Sequence, residues 1–127
     1  DCPLFVPLVE EGITAINDIV AYETAKRYLM PMIEAGVDAL ILGCTHYPVL
    51  QDVISSIVGD DVTLINMGEA TADFVKTFLE DNAMLSASKK QKNDYFVSDK
   101  SESFSAMARI LLGNSDIEAT QVDIEQI

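Results

Sequence analysis

The sequence predicts an α/β fold with a mostly parallel sheet flanked by helices, and three features of the chain carry that prediction. Short apolar runs, Ala39–Leu42, Val62–Ile65 and Tyr95–Val97, alternate with segments whose apolar residues recur at helical spacing. Glycines at 36, 59 and 113 stand where those helical segments should end. The succession from 39 to 65 reads strand, helix, strand, a unit that crosses over right-handed and makes its strands parallel.

Taken in order, Cys2 to Gly12 is apolar with prolines at 3 and 7, and reads as a strand or loop. Apolar groups at 16, 19, 20, 29, 32 and 33 predict a helix over about 16–35, which Pro31 should kink or split. Gly36 ends it. The strand 39–42 leads into a helix over 48–58, where Pro48 suits a first turn that needs no N–H from it. After the strand 62–65, a third helix is expected over about 70–83, with Phe74, Val75, Phe78 and Leu79 on one face. Tyr95–Val97 predicts a further strand. Asp99-Lys100-Ser101-Glu102 resembles a capping box ahead of a helix burying Phe104, Met107, Ala108, Leu111 and Leu112. The tail, 117–127, reads as a last strand.

Composition narrows the function. The 127 residues are 49% apolar and 23% charged, enough for an ordinary globular core. No apolar run is long enough for a membrane span, and no secretion signal opens the chain, so a reducing, cytoplasmic setting is expected. Asp1-Cys2-Pro3 reads as the middle of a longer sequence. A net charge of −13 argues against a nucleic-acid groove, which draws on clustered Lys and Arg. Lys89, Lys90 and Lys92 are the basic cluster, and their polar surroundings predict a solvated loop. An anionic ligand would therefore rely on local N–H groups and hydroxyls rather than on the overall field.

The chemistry concentrates in Gly43-Cys44-Thr45-His46-Tyr47-Pro48, which holds the single histidine two residues from a cysteine. It lies on a predicted strand-to-helix turn at a strand's carboxyl end, where open α/β sheets collect ligands and catalytic groups. An ordinary thiol is mostly protonated at neutral pH. A helix start contributes only ~0.3–1 kcal/mol toward the thiolate. A neighbouring base is needed for more, and His46 is the imidazole at hand. Backbone N–H groups at 45–47 could face a carboxylate. Cys44 and His46 alone make too few ligands for an ordinary zinc site, so no metal is expected. Cys2 has no base or helix start beside it and reads as a buried small hydrophobe. A Cys-His hydrolase is a weaker alternative, because Thr45 and His46 stand where a nucleophile elbow needs a glycine. A noncatalytic protein-interaction module is another.

At these residues the chain resembles a known family. Leu42-Gly43-Cys44-Thr45-His46-Tyr47-Pro48 is similar to the second cysteine motif of glutamate racemase, in the aspartate/glutamate racemase superfamily. Cys2-Pro3-Leu4-Phe5-Val6-Pro7-Leu8-Val9-Glu10 resembles the segment ahead of that motif, and Tyr95–Ser98 and Leu111–Gly113 resemble its closing strand and helix. Aspartate racemases usually carry a glutamate where His46 stands, which favours the glutamate enzyme. The resemblance implies a two-domain racemase fold: residues 1–66 in the domain with the second catalytic cysteine, and 67–127 completing the other α/β domain. It implies cofactor-independent interconversion of L- and D-glutamate by two cysteines, supplying D-glutamate for bacterial peptidoglycan. Cys44 would be one base, Thr45 and His46 would bind substrate, His46 would also assist the thiol, and Glu10 would be a supporting acid. The family's first cysteine, followed by Asn and Thr, and its Asp-Ser-Gly loop do not occur here. The chain therefore resembles the C-terminal half. It is expected to need the missing N-terminal half, to self-associate, and to be inactive alone.

Overall fold

The computed structural model describes residues 1–86, 93–99, 102–113 and 117–124. The expected basic loop at 89–92, half of the capping box (Lys100 and Ser101) and the chain's last residues, 125–127, lie outside them. The chain forms two compact units, Asp1–Leu85 and Ser86–Ile127.

The first unit begins with α1, Phe5–Glu10, where the prolines had predicted an extended segment. The reason is positional. Pro7 falls in the first turn of α1, where a helix has no internal use for its N–H. Helix α2 spans Ile19–Glu34. It starts later than the apolar spacing predicts because Asp18 is its N-cap, accepting from Val20 N at 2.8 Å and Ala21 N at 3.2 Å. Pro31 does not split it: the proline lies near the end, so the helix forgoes one bond and continues to Glu34. Gly36, at φ +72, then closes it with Gly36 N to Ile33 O at 2.9 Å and Val37 N to Met32 O at 3.4 Å. That pairing is a Schellman motif, and the positive φ is why a glycine stands there.

Strand β1, Ala39–Leu42, pairs in parallel with β2, Thr63–Asn66, with Leu42 opposite Asn66. Between them come a 3-10 turn, Tyr47–Leu50, and helix α3, Gln51–Val58. The predicted helix over 48–58 is thus a tight turn followed by a shorter α-helix. The core lies where α1, α2, the 3-10 turn and α3 meet: Phe5, Val9, Leu29, Leu50, Val53 and Ile54 are at most 1% exposed. Each such side chain contributes roughly 1.5–3 kcal/mol by leaving water. Only one face of β1 joins this core. Leu42 is buried, whereas Ile41 on the opposite face is 60% exposed.

Helix α4, Met67–Asp81, follows β2 directly. Asn66 caps it, accepting from Gly68 N at 3.0 Å and Glu69 N at 3.4 Å while its amide donates to Glu69 Oε1 at 3.1 Å. No residue of α4 is buried.

The second unit holds β3, Tyr95–Val97, helix α5, Glu102–Leu112, and β4, Ala119–Gln121, with the strands paired in parallel. Both strand pairs being parallel, with helices between, is the predicted α/β class. The expected burial of α5 is only partly met. Ala108 is buried, but Leu111 and Leu112 are exposed and line an open apolar groove with Tyr95, Phe96, Phe104 and Met107. Two short strands are too narrow to cover the whole apolar face of a helix.

Candidate active site

The turn after β1 is built from local constraints. Leu42 anchors the strand's end in the core, Tyr47 N donates to Cys44 O at 3.3 Å, and Val49 N donates to His46 O at 3.1 Å. Pro48 stands in the first positions of the 3-10 turn, as its missing N–H allows. These bonds hold Cys44, Thr45 and His46 at the carboxyl edge of the parallel pair. Of the amides at 45–47 that could face an anion, the one at Tyr47 is turned inward to Cys44 O.

Cys44 is partly exposed, not sunk in packed hydrocarbon. Its Sγ lies 3.9 Å from His46 Nδ1, within reach of a sulfur hydrogen bond. Thr45 Oγ1 lies 3.3 Å from the same nitrogen. On the far side of the ring, His46 Nε2 is 3.8 Å from Glu10 Oε1, at the end of α1. The side chains of this pair are 27% and 57% exposed, so it adds little stability. A carboxylate that faces Nε2 is the arrangement that favours a proton on that nitrogen and a lone pair on Nδ1, the atom facing Cys44 and Thr45. The four residues singled out by the sequence, Glu10, Cys44, Thr45 and His46, are thus brought together.

Cys2 is different. It is buried at 6% exposure, and burial raises its thiol above the ordinary value. Such a thiol stays neutral and inert. A cavity of about 120 Å³, lined by Cys2, Phe5, Leu29, Ile54 and Tyr47 among others, reaches the turn only at Tyr47 and includes neither Cys44 nor His46. Among the described residues no group of three or more His, Cys, Asp or Glu is placed to hold a metal ion.

Two contributors escaped the sequence reading. Asn66, opposite Leu42 at the same sheet edge, has its side chain committed to capping α4, and an Asn-x-x-Glu pattern at 66–69 signals it. Tyr47 accepts a hydrogen bond from Cys2 N at 3.1 Å across 45 positions of sequence, and no local pattern signals that.

No family model matches the chain. Over 125 residues it is 44% identical to the glutamate racemase of Geobacter metallireducens, an alignment covering 98% of the chain and 46% of that protein. Its fold superposes on the glutamate racemase isoform RacE1 of Bacillus anthracis with a TM-score of 0.84 and 32% identity, over 97% of the chain and 45% of that one. The glutamate racemase of Francisella tularensis, solved in complex with D-glutamate, matches with a TM-score of 0.84 and 28% identity, over 99% and 47%. The chain spans about half the length of the curated relatives it matches.

Proposed function

We propose that this homologue of the C-terminal portion of glutamate racemases supplies one of two acid/base groups for the cofactor-independent interconversion of L- and D-glutamate. The observation that carries the reading is Cys44 Sγ at 3.9 Å from His46 Nδ1, on a partly exposed turn at the carboxyl edge of parallel strands. A stereocentre bonded to hydrogen has two faces, and one fixed base cannot serve both. Cys44 as thiolate takes the α-proton from one face of glutamate, and a thiol on the opposite face returns a proton to the carbanion. In the reverse direction their roles exchange. His46, turned by Glu10, presents Nδ1 as proton acceptor to the Cys44 thiol, and Thr45 and His46 contact substrate.

Cys2 is not the opposing thiol. Its burial and raised proton affinity support a packing role instead. The other cysteine comes from the N-terminal half, which completes the domain that residues 1–66 begin, while residues 67–127 complete the second. The half-covered strand pair supports this, because parallel strands are ordinarily buried on both faces. The exposed apolar residues Ile41, Phe74, Val75 and Phe78 are the surfaces that self-associate when that half is missing. The working setting is the bacterial cytoplasm, where D-glutamate enters peptidoglycan.

Circular dichroism of L-glutamate solutions tests the reading. The chain alone should leave the signal unchanged, even at stoichiometric protein. Adding the N-terminal portion of a homologous racemase should drive the signal toward zero. D-glutamate made by the chain alone would overturn the two-half scheme.

A further inference from the structure

The geometry points to Tyr47 as a positioning residue: we propose that its phenol clamps α1 against the reactive turn and thereby sets the contact between Glu10 and His46. Helix α1 has six residues and no side-chain bond at its N-cap. Its entry is held instead by phenols from distant elements. Cys2 N donates to Tyr47 Oη at 3.1 Å, and Leu4 N donates to Tyr28 Oη at 3.3 Å. Phe5 stands between the two rings, edge-on to Tyr28 at 5.4 Å and to Tyr47 at 5.3 Å, and is 1% exposed. Such perpendicular pairs are a favoured aromatic geometry.

The two phenols differ in what they join. Tyr28 ties α1 to α2, which carries no residue of the site. Tyr47 ties α1 to the turn itself, one residue after His46. Both partners of the Glu10–His46 contact therefore hang from this junction, Glu10 at the far end of α1 and His46 next to Tyr47 along the chain. The helix is only about 9 Å long and rigid, so a tilt at its entry is delivered at its exit. The pair at 3.8 Å is already long against the ~2.8 Å of a strong charge-assisted bond, so a tilt that widens it weakens the contact further.

The inference rests on His46 being the partner of Cys44, but its test reads a spectrum rather than turnover. Failure of the clamp would thus leave the racemase reading standing, and a chain that never racemises can still show the clamp. The chain has one histidine, so its imidazole Cε1–Hε1 signal is unambiguous in a two-dimensional NMR spectrum. Glu10→Gln, at fixed pH, gives the position of an imidazole without its carboxylate. Tyr47→Phe, which removes one oxygen and keeps the ring, should move the signal toward that position. Tyr28→Phe, which deletes the matching bond to Leu4 N, should leave it in place. Adding Tyr47→Phe to Glu10→Gln should produce no further displacement. A signal unmoved by Tyr47→Phe, moved equally by Tyr28→Phe, or moved as far in the Glu10→Gln background overturns the clamp. Global unfolding of Tyr47→Phe would contradict it as well, by showing that the phenol serves the core rather than the site.

Discussion

Helices α3 and α4 lie in the same unit and both carry an apolar face, yet they end differently. In α3, Val53, Ile54 and Val58 are buried against α2 and the 3-10 turn. In α4, Phe74 is 70% exposed, Val75 and Phe78 are exposed as well, and the two phenyl rings stack on each other at 6.5 Å. The periodicity of a helix states which side wants cover. It does not state what supplies the cover. One helix found its partner inside the chain, and the other presents the same kind of face to water.

That contrast can be broken most directly by truncation. Ile54→Ala should lower the stability of the first unit by about 2–5 kcal/mol in urea unfolding, as large-to-small changes in packed cores do. Phe78→Ser should change it by no more than about 0.5 kcal/mol, as exposed positions do, while reducing self-association in analytical ultracentrifugation. A Phe78→Ser loss as large as that of Ile54→Ala would mean α4 is packed in solution, and the contrast would fail.

The caps sharpen it at smaller scale. Asp18 and Asn66 each accept two N–H bonds at a helix start. Asp18→Ala should cost about 1 kcal/mol of global stability, because α2 belongs to the core. Asn66→Ala should appear chiefly as faster amide hydrogen exchange in α4, which can open without disturbing that core. Equal global losses would show α4 folding cooperatively with the rest.

The two cysteines repeat the contrast in chemistry. Iodoacetamide should label Cys44 in the folded chain and reach Cys2 only on unfolding. Burial raises the Cys2 thiol above its ordinary 9.0, so folding favours the protonated form. That contribution is fully present below the unfolded value and is lost as pH rises through the folded one. Cys2→Ala should therefore flatten the fall in stability above about pH 9. A fall unchanged by the substitution would assign it to other groups.

The turn was legible because everything it needs is local: an apolar strand, a proline fit for a first helical position, and Cys44 two residues from His46. Helix α1 was not, because proline reads as extended unless its place within the first turn is known. The starts of α2 and α4 were missed by a few residues because apolar spacing locates a face, whereas Asp18 and Asn66 locate an end. Leu111 and Leu112 of α5 were expected in a core that the second unit's paired strands, β3 and β4, are too narrow to provide. The phenol of Tyr47 meets Cys2 across 45 positions, a contact that only the folded chain reveals.

The central claim is that Cys44 is one of two opposed proton carriers. It is tested most directly by substituting Cys44→Ser after the N-terminal portion of a homologous racemase has been added, and measuring turnover of L- and D-glutamate separately. The account predicts a loss of about 10²–10⁴ in each direction, the range for a deleted general acid or base. Near-normal turnover in both directions would remove Cys44 from the mechanism.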